Sequence, residues 1–160
     1  MSTIAEILDF ETHVETPIAE ALNAAISVSG FHAYPQLATA TKKAPYVNVQ
    51  IQLGEPQGHV ALVGTATTPY WDTFYAILNF EIVTKRTGAS SVAAHGPIRG
   101  AIRALMQNLA FDQTMLPLHS VPIITEAGSQ PRIEDENDLD TSAIAFNLLL
   151  NVRANAWPTA

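Results

Sequence analysis

The stretch YWDTFYAILNFEIVTKR, residues 70–86, decides how this chain folds. Within it Phe74, Ala76, Leu78, Phe80 and Ile82 alternate with Tyr75, Ile77, Asn79, Glu81 and Val83, so each set falls on its own face of an extended strand. Aromatic and β-branched residues, which suit a pleated surface, dominate both sets. The reading is a long central strand, buried on one face and partly on the other. Such a strand needs neighbours beside it and a cover over its apolar face.

The neighbours are legible on both sides. Upstream, Val47, Val49, Ile51 and Leu53 alternate with Asn48, Gln50 and Gln52, a strand with one buried face. Gly54 to Gly58 reads as a turn, His59 to Val63 as a short run able to pair back as a hairpin, and Thr65 to Pro69 as a polar break. Residues 31–45, with Tyr34-Pro35 and Lys42-Lys43-Ala44-Pro45, carry few periodic signals and read as a connection. Downstream, Val121 to Glu126 reads as a short strand and Gly128 to Asp140 as a loop rich in acids and turn-formers. The final strand is Ile144, Phe146, Leu148, Leu150 and Val152 alternating with Ala145, Asn147, Leu149, Asn151 and Arg153.

Two helices supply the cover. Ile7, Val14, Ile18, Ala21, Leu22, Ala25 and Ile26 predict a first helix over 4–28. Thr3 and Glu6 suit a capping box, Thr16 followed by Pro17 equally suits the start of a new helix with proline at its first position, a kink or break is expected near Pro17, and Gly30 marks the end. Ile98, Ile102, Leu105, Met106 and Leu109 predict a second, with Pro97 in its first turn and Arg99 and Arg103 sharing a face. The order gives one α+β domain over 1–160, with an antiparallel or mixed β-sheet of four to five strands and two main helices packed on one face. A doubly wound nucleotide-binding fold does not fit this order.

Composition narrows the function classes. At 160 residues, 48% hydrophobic and 14% charged, the chain can bury a full core but carries a thin charge coat, part of which partners can cover. The net charge of −7 repels a phosphate backbone, which argues against specific DNA binding but suits a wall past which DNA must slide. With no cysteine there is no disulfide, thiolate metal site or cysteine nucleophile. Residues 1–30 show no basic start followed by an apolar run, and no stretch approaches the roughly 20 apolar residues of a spanning helix. The expectation is a protein made in the cytoplasm, with no membrane partner.

Candidate chemistry is sparse. His13, His32, His59, His95 and His119 show no spacing typical of helical metal sites. The run Glu134, Asp135, Glu136, Asn137, Asp138 and Asp140 offers oxygen ligands but fails the EF-hand pattern and reads as a solvated acidic loop. Ser120 beside His119 supplies ingredients of a hydrolase without a nucleophile elbow. No phosphate-binding glycine loop occurs. The expectation is no catalytic residue, no metal and no cofactor. Arg99 and Arg103, with Lys85 and Arg86, form a possible basic patch for a partner's carboxylates, and Tyr70, Trp71 and Trp157 sit at element ends as interface anchors.

That element order, with residues 70–86, the helix GPIRGAIRALMQ at 96–107 and the ending DENDLDTSAIAFNLLLNVRANAWP at 135–158, resembles the small tail-completion proteins of tailed phages and prophages, notably the tail terminator type. The resemblance implies a non-enzymatic virion structural protein of the tail or neck. In that family a homo-oligomeric ring, commonly a hexamer, caps the tail tube and meets neck or connector proteins while DNA passes through. Interfaces built from Tyr70, Trp71, Arg99, Arg103 and Trp157 are the corresponding expectation. A head-to-tail connector or a tail tube protein is the nearest alternative, and a small hydrolase or ligand-binding domain the alternative from another class.

Overall fold

A computed structural model describes residues 9–36, 38, 41–53, 71–86, 91–111, 123–134 and 138–153. Five strands form one sheet: β1 (His32–Pro35), β2 (Tyr46–Leu53), β3 (Trp71–Lys85), β4 (Ile123–Glu134) and β5 (Leu139–Arg153). Their order across the sheet is β1-β2-β3-β5-β4. β1 runs parallel to β2 and every other pair is antiparallel, so the sheet is mixed. β3 is indeed central, paired along eight residues to β2 and along its whole length to β5.

Alternation sorts the side chains as the sequence implies. Val47, Val49, Ile51, Ala76, Leu78, Phe80, Ile82, Ile144, Phe146 and Leu148 are buried on one face. Both helices cover that face. Val14, Ile18 and Leu22 come from the first, and Ile98, Ile102, Leu105 and Met106 from the second. Phe80 and Phe146 meet edge to face, with centroids 5.9 Å apart, at the middle of the core. The arrangement is α+β with two helices on one face of a five-stranded sheet.

The first helix departs from expectation around Pro17 and at its C-terminal end. A π-helical segment, Glu11–Glu15, leads into α1 (Thr16–Ala25), which starts with Pro17 in its first turn as the Thr16-Pro17 pair suggests, and the helix changes type there without a break in the chain's helical course. A proline cannot donate to the carbonyl four residues back and its ring crowds that group. The turn before Pro17 therefore widens, and the Thr16 amide bonds the Glu11 carbonyl five residues back. α1 stops at Ala25, because Ile26 is already extended, and Gly30, at φ 74°, serves the turn into β1 and not the helix end.

Three further readings are corrected. Residues 31–45 contain β1, which is four residues long with only Ala33 fully buried, too short to show a period. α2 (Ser91–Phe111) starts six residues before Pro97, so that proline lies inside the helix, on its exposed side. β4 continues through Gly128 to Glu134, where a loop is expected, by means of register shifts at Glu126/Gly128 and Gln130/Ile133. Glycine and Pro131 sit at or between those shifts on an edge strand, where neither a missing side chain nor a missing N–H breaks the sheet. The turn at 54–58, the strand at 59–63 and the break at 65–69 lie outside the described residues, as do the Thr3–Glu6 capping box and the start of the first helix.

Candidate functional site

A polar cluster is buried where the core meets the end of β3. Thr84 and Asp140 are cross-strand partners on the inner face, and Ser142 lies two residues further along β5 on the same face. His95 reaches them from the first half of α2. Its Nε2 lies 2.8 Å from Thr84 Oγ1 and its Nδ1 2.7 Å from Ser142 Oγ. Thr84, His95, Asp140 and Ser142 are each only 4% exposed. A hydroxyl both donates and accepts, so either tautomer of the ring is satisfied by turning two O–H bonds.

Serine, histidine and aspartate here invite comparison with a hydrolytic triad, and the geometry argues against it. In a triad one ring nitrogen faces the nucleophile and the other a carboxylate that orients it. In this cluster both nitrogens face hydroxyls, and the Asp140 carboxylate pairs with the Arg86 guanidinium at 3.4 Å. Buried to this degree, Ser142 is not presented to a substrate. The cluster pins α2 to two strands.

Arg86 also holds Asp138, the residue that leads into β5. Its backbone N–H bonds the Asp138 carbonyl at 2.8 Å, and its guanidinium lies 3.8 Å from the Asp138 carboxylate. Asp138 has φ 57°, a left-handed conformation that aspartate tolerates, and its side chain is 87% exposed.

The two arginines expected at an interface find partners within the chain. Arg103 donates from Nε and Nη2 to both oxygens of Glu126 on β4, at 3.1 and 3.0 Å. That bidentate bond holds the Glu126 carboxyl below the usual carboxylate range. Arg99 donates to the Ala143 carbonyl at 3.2 Å, at the strand position where the β4 ladder shifts and Pro131 has no N–H to offer. Trp71 begins β3 opposite Arg153, and its side chain lies outside the described residues. Tyr70, Trp157, His119 and Ser120 lie outside them altogether. Among the described residues no group of histidines and acids is placed to hold a metal, and no helix is long and apolar enough to cross a membrane.

Two features escape the sequence reading. Glu15 is 1% exposed, and its carboxylate accepts the backbone N–H of Ile51 at 2.9 Å and of Gln36 at 3.2 Å. The β1–β2 ladder ends at Pro35 and Val49, so the carboxylate takes amides just past the point where the strands part. Burial pushes its pKa up, only partly opposed by those two bonds. Asn23 does the same for β1 itself, accepting the Ala33 N–H at 2.7 Å and donating to the Ala33 carbonyl at 3.2 Å. Only the helical phase of Glu15, next to Val14 on the buried stripe, hints at the first.

The second feature is an aromatic patch on the open face of the sheet. His32 and Tyr34 of β1 lie 5.9 Å apart, Tyr34 meets Tyr46 of β2 edge-on at 6.3 Å, and Lys42 Nζ stands 5.9 Å over the Tyr34 ring. Compared with known proteins, the chain matches no family model and no curated protein.

Proposed function

We propose that this chain is a structural subunit of a phage tail or neck, of the tail terminator type, that works by assembling into a ring and not by catalysis. The observation that carries the reading is the way the sheet is built. Both helices cover one face, among the described residues no helix covers the other, and the buried histidine and serine serve to fasten a helix. The acidic balance of −7 favours a channel wall that does not retain DNA. A ring subunit needs self-complementary borders more than a pocket.

The test is native mass by light scattering over a range of concentrations, with negative-stain imaging of the same sample and of mixtures with tail tubes. Single or paired rings that cap tube ends are expected. Long stacked polymers would indicate a tube protein, and docking to a head vertex instead of a tube a connector. A strict monomer that ignores tubes would defeat the proposal.

A further inference from the structure

β1 is a border strand of the sheet, and Tyr34 and Pro35 at its end point to opposite sides of it. On the open face Lys42 Nζ stands 5.9 Å over the Tyr34 ring, with Lys43 next to it in sequence. On the helix side a groove of about 370 Å³ runs beside Pro35, and Asp9 and Glu11 line it together with Thr12, Glu15 and Thr16. Lys43 and Glu11 are exposed, Lys42 and Asp9 half-buried. Among the described residues neither lysine is in an ion pair, and neither is Asp9 or Glu11. Cations and carboxylates thus flank the same end of one short strand, and the strand stands between them.

Sheet geometry limits how such a border can meet a copy of itself. The N–H and C=O of Ala33 are taken by the Asn23 side-chain amide and Pro35 has no N–H, so a backbone ladder between two β1 strands is blocked. The contact is left to side chains. A two-fold axis perpendicular to the sheet turns one β1 end for end and keeps like faces together, so lysines share a side with lysines and no opposite charges are matched. A two-fold axis along the strand keeps the two β1 ends level and inverts the sheet, so the open face of one copy meets the helix side of the other. Lys42 and Lys43 then come opposite Asp9 and Glu11 of the second copy, and the match is made twice, as an isologous contact requires.

We propose that Lys42 and Lys43 on the open face of β1 and the groove at Asp9 and Glu11 on its helix side form one self-complementary docking surface for a second copy of this chain. The net charge of −7 sets two copies against each other, and a border that offers its own cations to the partner's carboxylates selects this orientation among the rest. The Tyr34 ring beneath the Lys42 head shields the contact from water on one side. An isologous contact joins two copies and stops, so the proposal goes beyond the ring reading and does not rest on it. In a ring of such subunits it fastens one ring to a second.

The experiment follows native mass, by light scattering and native mass spectrometry over a range of concentrations, for wild type and for the variants Lys42→Glu/Lys43→Glu and Asp9→Asn/Glu11→Lys. Asparagine keeps the side-chain oxygen that accepts the Thr12 N–H at 3.1 Å. Wild type is expected to double, as dimers or as paired rings, and each variant alone to pair about tenfold or more weakly. In an equimolar mixture the acidic border of the first variant finds the basic border of the second, so doubling is expected to return in species that hold both chains. The neutral Lys42→Gln/Lys43→Gln variant should fall between, with unchanged circular dichroism showing that the fold is kept. Variants that double as wild type does would overturn the docking surface, whether or not rings form. So would a wild type that never doubles at any concentration.

Discussion

His95 is held by two hydroxyls that have few other uses in a core, and its removal exposes that dependence. His95→Ala leaves Thr84 and Ser142 without the ring and opens a void between α2 and the sheet, so a loss of about 2–4 kcal/mol in urea unfolding is expected. Ser142→Ala removes one bond and should cost about 1 kcal/mol. If the cluster were catalytic, the order of effects on any hydrolytic activity would instead follow Ser142. Glu15 makes a different prediction. Its folded pKa lies above the ordinary 4.5, so between those two values the native state holds more protons than the unfolded chain. Stability from this group is full below 4.5 and declines as pH rises through the folded value. Against Glu15→Gln, which does not titrate, wild type should lose ground steadily as pH climbs from acid toward neutral, measured as melting temperature in matched buffers. A constant difference would show that the carboxyl is not desolvated.

At the scale of elements, Pro97 sits in the interior of α2 and offers no N–H to the Ala93 carbonyl. Pro97→Ala restores that bond on an exposed face, and a gain of about 1–2 kcal/mol is expected after the added freedom of the unfolded chain is subtracted. The Arg103–Glu126 pair links the same helix to β4, yet its side chains are 47% and 37% exposed. Arg103→Ala should therefore cost less than about 1 kcal/mol, with the difference fading at high salt. Element types were readable because alternation in β2, β3 and β5 and the stripe in α2 extend over several repeats. Element ends were not. The start of α2 depends on His95 being fastened to strands 11 and 47 residues away, which no local pattern records. β1 has a single buried side chain, Ala33, and β4 crosses glycine and proline by shifting register. The role of Glu15 was hidden for the same reason, since its partners are backbone amides 21 and 36 residues distant.

For the whole molecule, two helices over one face of a mixed sheet hold the fold, and the acid excess governs how the chain meets polyanions. Duplex DNA at physiological salt should show no retained complex in a gel-shift assay, because −7 on a small domain offers no counterion release to drive binding. Binding that weakened steeply with salt would mean that a basic surface is presented only by the assembly. The edges have one more consequence. Asn23 fills the hydrogen-bonding groups of Ala33 on β1 that an incoming strand would need and Glu15 takes the Gln36 amide just past it, while the register shifts and Pro131 spoil the far half of β4. Fibrils of the amyloid kind require each layer to accept one strand and offer the next a fresh template. Here a recruited strand would find one border partly taken and the other irregular, so accretion stalls, and the chain can be concentrated without seeding its own precipitation.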